Sequence, residues 1–124
     1  MDGNSPTSMP EHIYHLTSFD AWQHAQCVGE YTPADFDQEG FIHCSYVHQL
    51  VEVANRRFRG RVDLVLLAID RSRLRYKVID ENLEGGPNLF PHIYGPLPVE
   101  AVTAAIPFPC SAEGIFQLPS PLRA

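Results

Sequence analysis

The run VDLVLLAID, residues 62–70, is the feature that most limits how this chain can fold. It is continuously apolar and ends in a charged turn, the pattern of a central strand covered on both faces. A chain of 124 residues has room for one domain built around such a strand.

The other segments follow from their periodicity. HIYHL (12–16) is β-branched and aromatic, which predicts a strand with Ile13 and His15 on one face and His12, Tyr14 and Leu16 on the other. TSFDAWQHAQCVG predicts a short helix with Thr17 or Ser18 as N-cap and Gly29 as its stop. EYTPADFDQEG lacks periodicity and reads as a loop leading into the strand FIHC. SYVHQLVEVANRRFRG carries Val47, Leu50, Val51, Ala54 and Phe58 at helical spacing, with Ser45 as a candidate N-cap and Gly60 beyond the last turn. RLRYKVID reads as a further strand, ENLEGGPNLFPHIYGPLP as a long loop holding the extended piece FPHIY, and VEAVTAAIPF as the last strand. Five or six strands and two helices, both in the first half, define an α+β fold. The expected organisation is a disordered leader over 1–10, one domain over 11–108 and a C-terminal extension over 109–124. That extension either packs through Ile115, Phe116 and Leu118 or stays loose.

The net charge is −6, yet eight of the nine basic residues lie between Arg56 and Lys77. An acidic chain is a poor general nucleic-acid binder, whereas a local cluster such as Arg56 and Arg57 can hold a phosphate. The three cysteines, Cys27, Cys44 and Cys110, have neither disulfide-framework nor zinc-finger spacing, and no stretch approaches the roughly 18–20 apolar residues of a membrane span. A cytoplasmic protein with no membrane partner is expected.

Three histidines share a context. His15, His43 and His92 sit in short apolar segments, flanked as YHL, IHC and PHI. A buried imidazole must satisfy two nitrogens, a cost that leucine avoids. Any one of them alone reads as a structural histidine; three in one setting point to a site. Alternation puts His43 and Ser45 on one face and Cys44 on the other, so a Cys44–His43 nucleophilic pair is sterically excluded. His92 and Tyr94 share a face of FPHIY, and Glu81 lies close in sequence. A zinc site from the three histidines has no supporting spacing, and no metal is expected.

IYHLT, GFIHCS, ANRRFRGR, VDLVLLAID, and ENLEGG followed by FPHIYGPLP, in that order over residues 11–108, resemble the uncharacterised family known as domain of unknown function 952. That family is similar in turn to the ADP-ribosyltransferase fold, which the tRNA 2′-phosphotransferases share. The resemblance implies a split, mixed β-sheet core with a cleft for NAD. It implies that Tyr14-His15-Leu16-Thr17 forms a first motif in which His15 and Thr17 hold a ribose. It further implies that His43-Cys44-Ser45 forms a second, with His43 against the base or leaving group. The third motif departs, with His92 where those enzymes place a glutamate. The expected function is therefore a transferase or hydrolase that takes NAD or another nucleotide as substrate. His43, His92 and Glu81 are the expected catalytic groups, and Tyr14, His15, Thr17, Ser45, Tyr94, Arg56 and Arg57 the ligand contacts. A binding module without chemistry, a small histidine-dependent hydrolase, cyclase or isomerase, and a metalloenzyme are the alternatives.

Overall fold

A computed structural model describes residues 12–83 and 85–122; the expected leader over 1–10 lies outside them. The run at 62–70 becomes β4 (Leu64–Asp70), the middle strand of a three-stranded sheet in the order β1-β4-β8, with β1 spanning His12–Ser18 and β8 Val102–Pro107. Its apolar continuity has the expected cause. Val65, Leu67 and Ile69 enter one core with Ile13 and with Trp22 and Ala25 of α1 (Phe19–Val28). Leu64, Leu66 and Ala68 enter a second core with Tyr14, Leu16 and with Leu50, Val53 and Ala54 of α3 (Leu50–Arg57). The sheet thus separates two apolar layers, and each face of β4 faces one of them.

The start of α1 matches the second of the two expected caps. Ser18 Oγ accepts from the Ala21 N–H at 3.0 Å, and Gly29 closes the helix at φ 103°, a left-handed conformation in which its N–H reaches the Ala25 carbonyl.

Four expectations need correction. Residues 30–40 are not all loop: Glu30–Tyr31 forms β2, paired with β7 (Leu97–Pro98), and Phe36–Glu39 forms a single helical turn, α2. The described residues therefore hold three α-helices rather than two, all in the first half. The strands β3 (Ile42–His43), β6 (Phe90–Ile93) and β5 (Val78–Glu81) make a second three-stranded sheet, and every described pairing is antiparallel rather than mixed. Finally, Ser45 is not the cap of α3. Its N–H and carbonyl both pair with Tyr14, while a 3-10 turn at Val47–Gln49 opens the helix and Gln49 Oε1 accepts from the Tyr46 N–H at 2.9 Å. The tertiary pairing to β1 takes a residue whose local propensity favours a cap.

The extension after residue 108 is packed. Phe116 is 1% exposed against Phe108, and the Asn55 side chain binds the Phe116 main chain on both sides, accepting from its N–H at 2.8 Å and donating to its carbonyl at 3.3 Å. Among the described residues no helix is long and apolar enough to cross a membrane.

Candidate functional site

The two three-stranded sheets meet at one point. Tyr14 and Ser45 exchange both main-chain hydrogen bonds, each 2.8 Å, and form an isolated bridge; beyond it β1 and β3 diverge. The gap is a cleft of about 770 Å³. It is lined by the free edge of β1 from Tyr14 to Ser18, by Arg56, Arg57 and Phe58 at the end of α3, by the segment from Tyr31 to Asp35 with Phe41, and by His43, Glu81 and His92.

Nine of the ten residues singled out from the sequence line this cleft; Tyr94 does not, because its hydroxyl turns to the Glu81 carboxylate behind it. The strand pairing explains the convergence. His43 and His92 are directly opposite on β3 and β6, and His92 and Ile79 are opposite on β6 and β5, which carries Glu81 two residues on. Across one face, His43 Nδ1 comes within 3.1 Å of His92 Nε2, and His92 Nδ1 within 2.9 Å of Glu81 Oε2. The Phe41 ring stacks on His92 with centroids 4.1 Å apart and planes 11° apart, which fixes the tilt of the imidazole.

Proton placement follows from the partners. A carboxylate only accepts, so His92 Nδ1 carries a proton, and a single further proton lies between the two histidines. With His92 neutral, His43 donates to it; with His92 cationic, the direction reverses. The Tyr94 hydroxyl and then the His92 ring hold the Glu81 carboxyl below its ordinary range, and the same contact raises the Tyr94 hydroxyl. The arrangement is a carboxylate–imidazole–imidazole relay with the groups to take up or release one proton, and all three line the cleft.

His15 lines the cleft with both ring nitrogens held by the protein. Its Nδ1 donates to the His43 carbonyl at 2.7 Å, and its Nε2 lies 2.8 Å from the Tyr31 hydroxyl. Burial lowers the His15 pKa and keeps the ring neutral. Nε2 is then a pure acceptor and Tyr31 gives it its only proton, so Thr17 Oγ1, 3.0 Å away, supplies the proton of the Tyr31–Thr17 bond. Burial also pushes the Tyr31 hydroxyl up to about 12. Tyr31 is the site residue that sequence reasoning missed. Its only signal was an aromatic in a segment without periodicity.

Cys44 faces the core and is 1% exposed, with its thiol pushed far above the ordinary range by burial. Among the described residues no three histidine, cysteine or acidic side chains gather in a group that could hold a metal.

Fold and site together define a class: a small α+β protein whose cleft opens between two antiparallel half-sheets and ends in a histidine–histidine–glutamate relay. The chain belongs to the family described as Protein of unknown function (DUF952), whose model matches residues 16–105. It is similar to protein CC0527 from Caulobacter crescentus. The crystal structure of that protein is 37% identical, with 86% of this chain and 94% of that one covered and a TM-score of 0.77. Its solution NMR structure is likewise 37% identical, covering 86% and 92% of the two chains at a TM-score of 0.76. No curated protein matches the chain.

Proposed function

We propose that the cleft binds a nucleotide or NAD-like small molecule and that the protein acts on it as a transferase or hydrolase. The observation that carries this reading is the relay Glu81–His92–His43 lining a cleft of about 770 Å³, a volume suited to a small-molecule ligand. His43 and His92 act as the acid–base pair. They take the proton of an attacking water or acceptor hydroxyl and return it to the leaving group, while Glu81 stabilises the charged ring. Tyr94 holds Glu81. Thr17, Ser45 and Tyr14 offer hydroxyls to a sugar, and Arg56 and Arg57 at the exposed wall contact phosphate. The divergence of β1 from β3 supports the likeness to the ADP-ribosyltransferase fold, with the catalytic glutamate of those enzymes replaced by the relay. A cytoplasmic setting belongs to the same reading and is supported by three unpaired thiols.

Thermal-shift measurement with NAD, ADP-ribose, AMP and nicotinamide tests it, since a ligand at about 100 times its Kd adds roughly 2.7 kcal/mol to the folded state. At least one nucleotide raises Tm in the wild type and raises it less in Arg57→Ala. No shift from any of them at millimolar concentration would overturn the nucleotide reading. Turnover of another metabolite with a bell-shaped pH–rate profile and no dependence on NAD would assign the relay to a hydrolase, cyclase or isomerase instead.

A further inference from the structure

The pairing pattern around the split raises the question of why β1 and β3 part after a single rung. Tyr14 and Ser45 form a hydrogen-bonded pair, and in an antiparallel ladder the next such pair is two residues on, Leu16 opposite His43. The backbone directions agree. The Phe19 N–H, five residues after Tyr14 and therefore of opposite parity, bonds to the Asp63 carbonyl next to the start of β4, so the even-numbered residues of β1 face away from β4. On the other side the Cys44 N–H bonds to the Pro91 carbonyl of β6, so the main-chain groups of residue 43 face β1. Leu16 and His43 are thus in register for a second rung. Among the described residues no main-chain bond joins them, and the His43 carbonyl accepts instead from His15 Nδ1 at 2.7 Å.

We infer that His15 is a positioning residue, a wedge whose imidazole takes the acceptor that would otherwise close the sheet and so holds the cleft open. A peptide and an imidazole N–H are comparable donors to a carbonyl, each worth about 1 kcal/mol net, so the choice between them is decided by what else holds the ring. Tyr31 does so, with its hydroxyl 2.8 Å from Nε2 and its ring centroid 5.1 Å from that of His15. Two consequences follow. Leu16 presents its N–H and carbonyl to the cleft it lines rather than to a neighbouring strand. The peptide of His43 is held back from β1, which keeps the His43 ring within reach of His92. The inference deepens the proposed function, because it rests on this cleft being the site, but no ligand is needed to examine it.

Amide hydrogen exchange followed by NMR provides the test. In the wild type the Tyr14 and Ser45 amides are protected and the Leu16 amide exchanges at least about tenfold faster. His15→Leu removes the wedge donor, and Leu16 gains at least about tenfold protection as the rung closes. His15→Asn places an amide N–H where Nδ1 stands and keeps wild-type exchange at Leu16. His15→Gln places its N–H nearer the position of Nε2 and protects Leu16 as leucine does. The Asn and Gln pair decides the matter if the leucine variant does not fold. Unchanged Leu16 exchange in both the Leu and Gln variants, or protection in the Asn variant equal to that in Gln, would overturn the wedge. A failed nucleotide screen leaves the wedge standing, and a failed exchange experiment leaves the nucleotide reading standing.

Discussion

His43 and His92 hold one proton between them, with Nδ1 of the first 3.1 Å from Nε2 of the second at facing positions of β3 and β6. Glu81 fixes the other nitrogen of His92 as a donor, which leaves Nε2 of that ring as the atom that shares the proton with His43.

Glu81→Gln keeps the shape of the anchor and removes its charge. Turnover of whatever substrate the cleft accepts falls by about 10² or more, within the range for general acid–base groups, while KM changes little. Steady-state kinetics of the folded variant check this. Equal kcat in the two proteins would remove Glu81 from the relay.

Tyr94 is outside the cleft yet tunes it. Its hydroxyl is the larger of the two contacts that hold the Glu81 carboxyl below 4.5. Tyr94→Phe therefore raises the Glu81 pKa, and ¹³C NMR of the carboxyl across an acid titration reads the change directly. A Glu81 titration that does not move disproves the coupling.

Stability depends on pH through three groups with separable windows, His15, Glu81 and Tyr31. The unfolded chain takes a proton on His15 near 6.5 and the folded chain resists it, so stability is whole above that pH and is lost as pH falls toward the folded value. The slope is at most about 1.4 kcal/mol per pH unit for one proton. Glu81, with its carboxyl held low, adds a loss of its own as pH drops below 4.5 toward its folded value. At the alkaline end, Tyr31 ionises at 10.0 when unfolded and at about 12 when folded, and stability declines between the two. Urea unfolding at pH 7.5, 6 and 5 should show the first slope in the wild type and a flatter one in His15→Asn.

Phe116 ties the extension to α3. Phe116→Ala, at 1% exposure against Phe108, costs about 3–5 kcal/mol as a large-to-small core change. Denaturant unfolding measures it; a loss under about 1 kcal/mol would mean that the extension does not contribute to the core.

The thiols differ in access. Cys27 is exposed and reacts with a disulfide reagent in the native protein, whereas Cys44, buried and with a raised pKa, reacts only on unfolding. Rapid native labelling of Cys44, located by peptide mass, contradicts its place in the core.

Much of this was legible in the residues because it depends on period alone. The double-faced β4, the opposite directions of His43 and Cys44, and the shared face of His92 and Tyr94 all follow from alternation along a strand. What alternation does not fix is which strands meet. Tyr31 sits in a two-residue strand whose partner, Leu97–Pro98, is far along the chain, so nothing local announced that its hydroxyl would end at His15. Ser45 shows the converse. Serine before a helical pattern is a sound cap signal, but two main-chain bonds to Tyr14 outweigh one side-chain cap. His15 was legible as a polar oddity and not as a ring with both nitrogens already committed.

The half-sheets flanking the cleft are stitched along the backbone by the Tyr14–Ser45 pair alone among the described residues. Two main-chain hydrogen bonds are a weak spine, on the order of 1 kcal/mol each, so the packing of the layers behind the cleft bears, together with the His15 wedge, on its aperture. Ile13 of β1 and Ile42 of β3 are both wholly buried in one of those layers. Trading either for a smaller or larger side chain is a way to change the size of guest the protein admits without altering a single group that touches it.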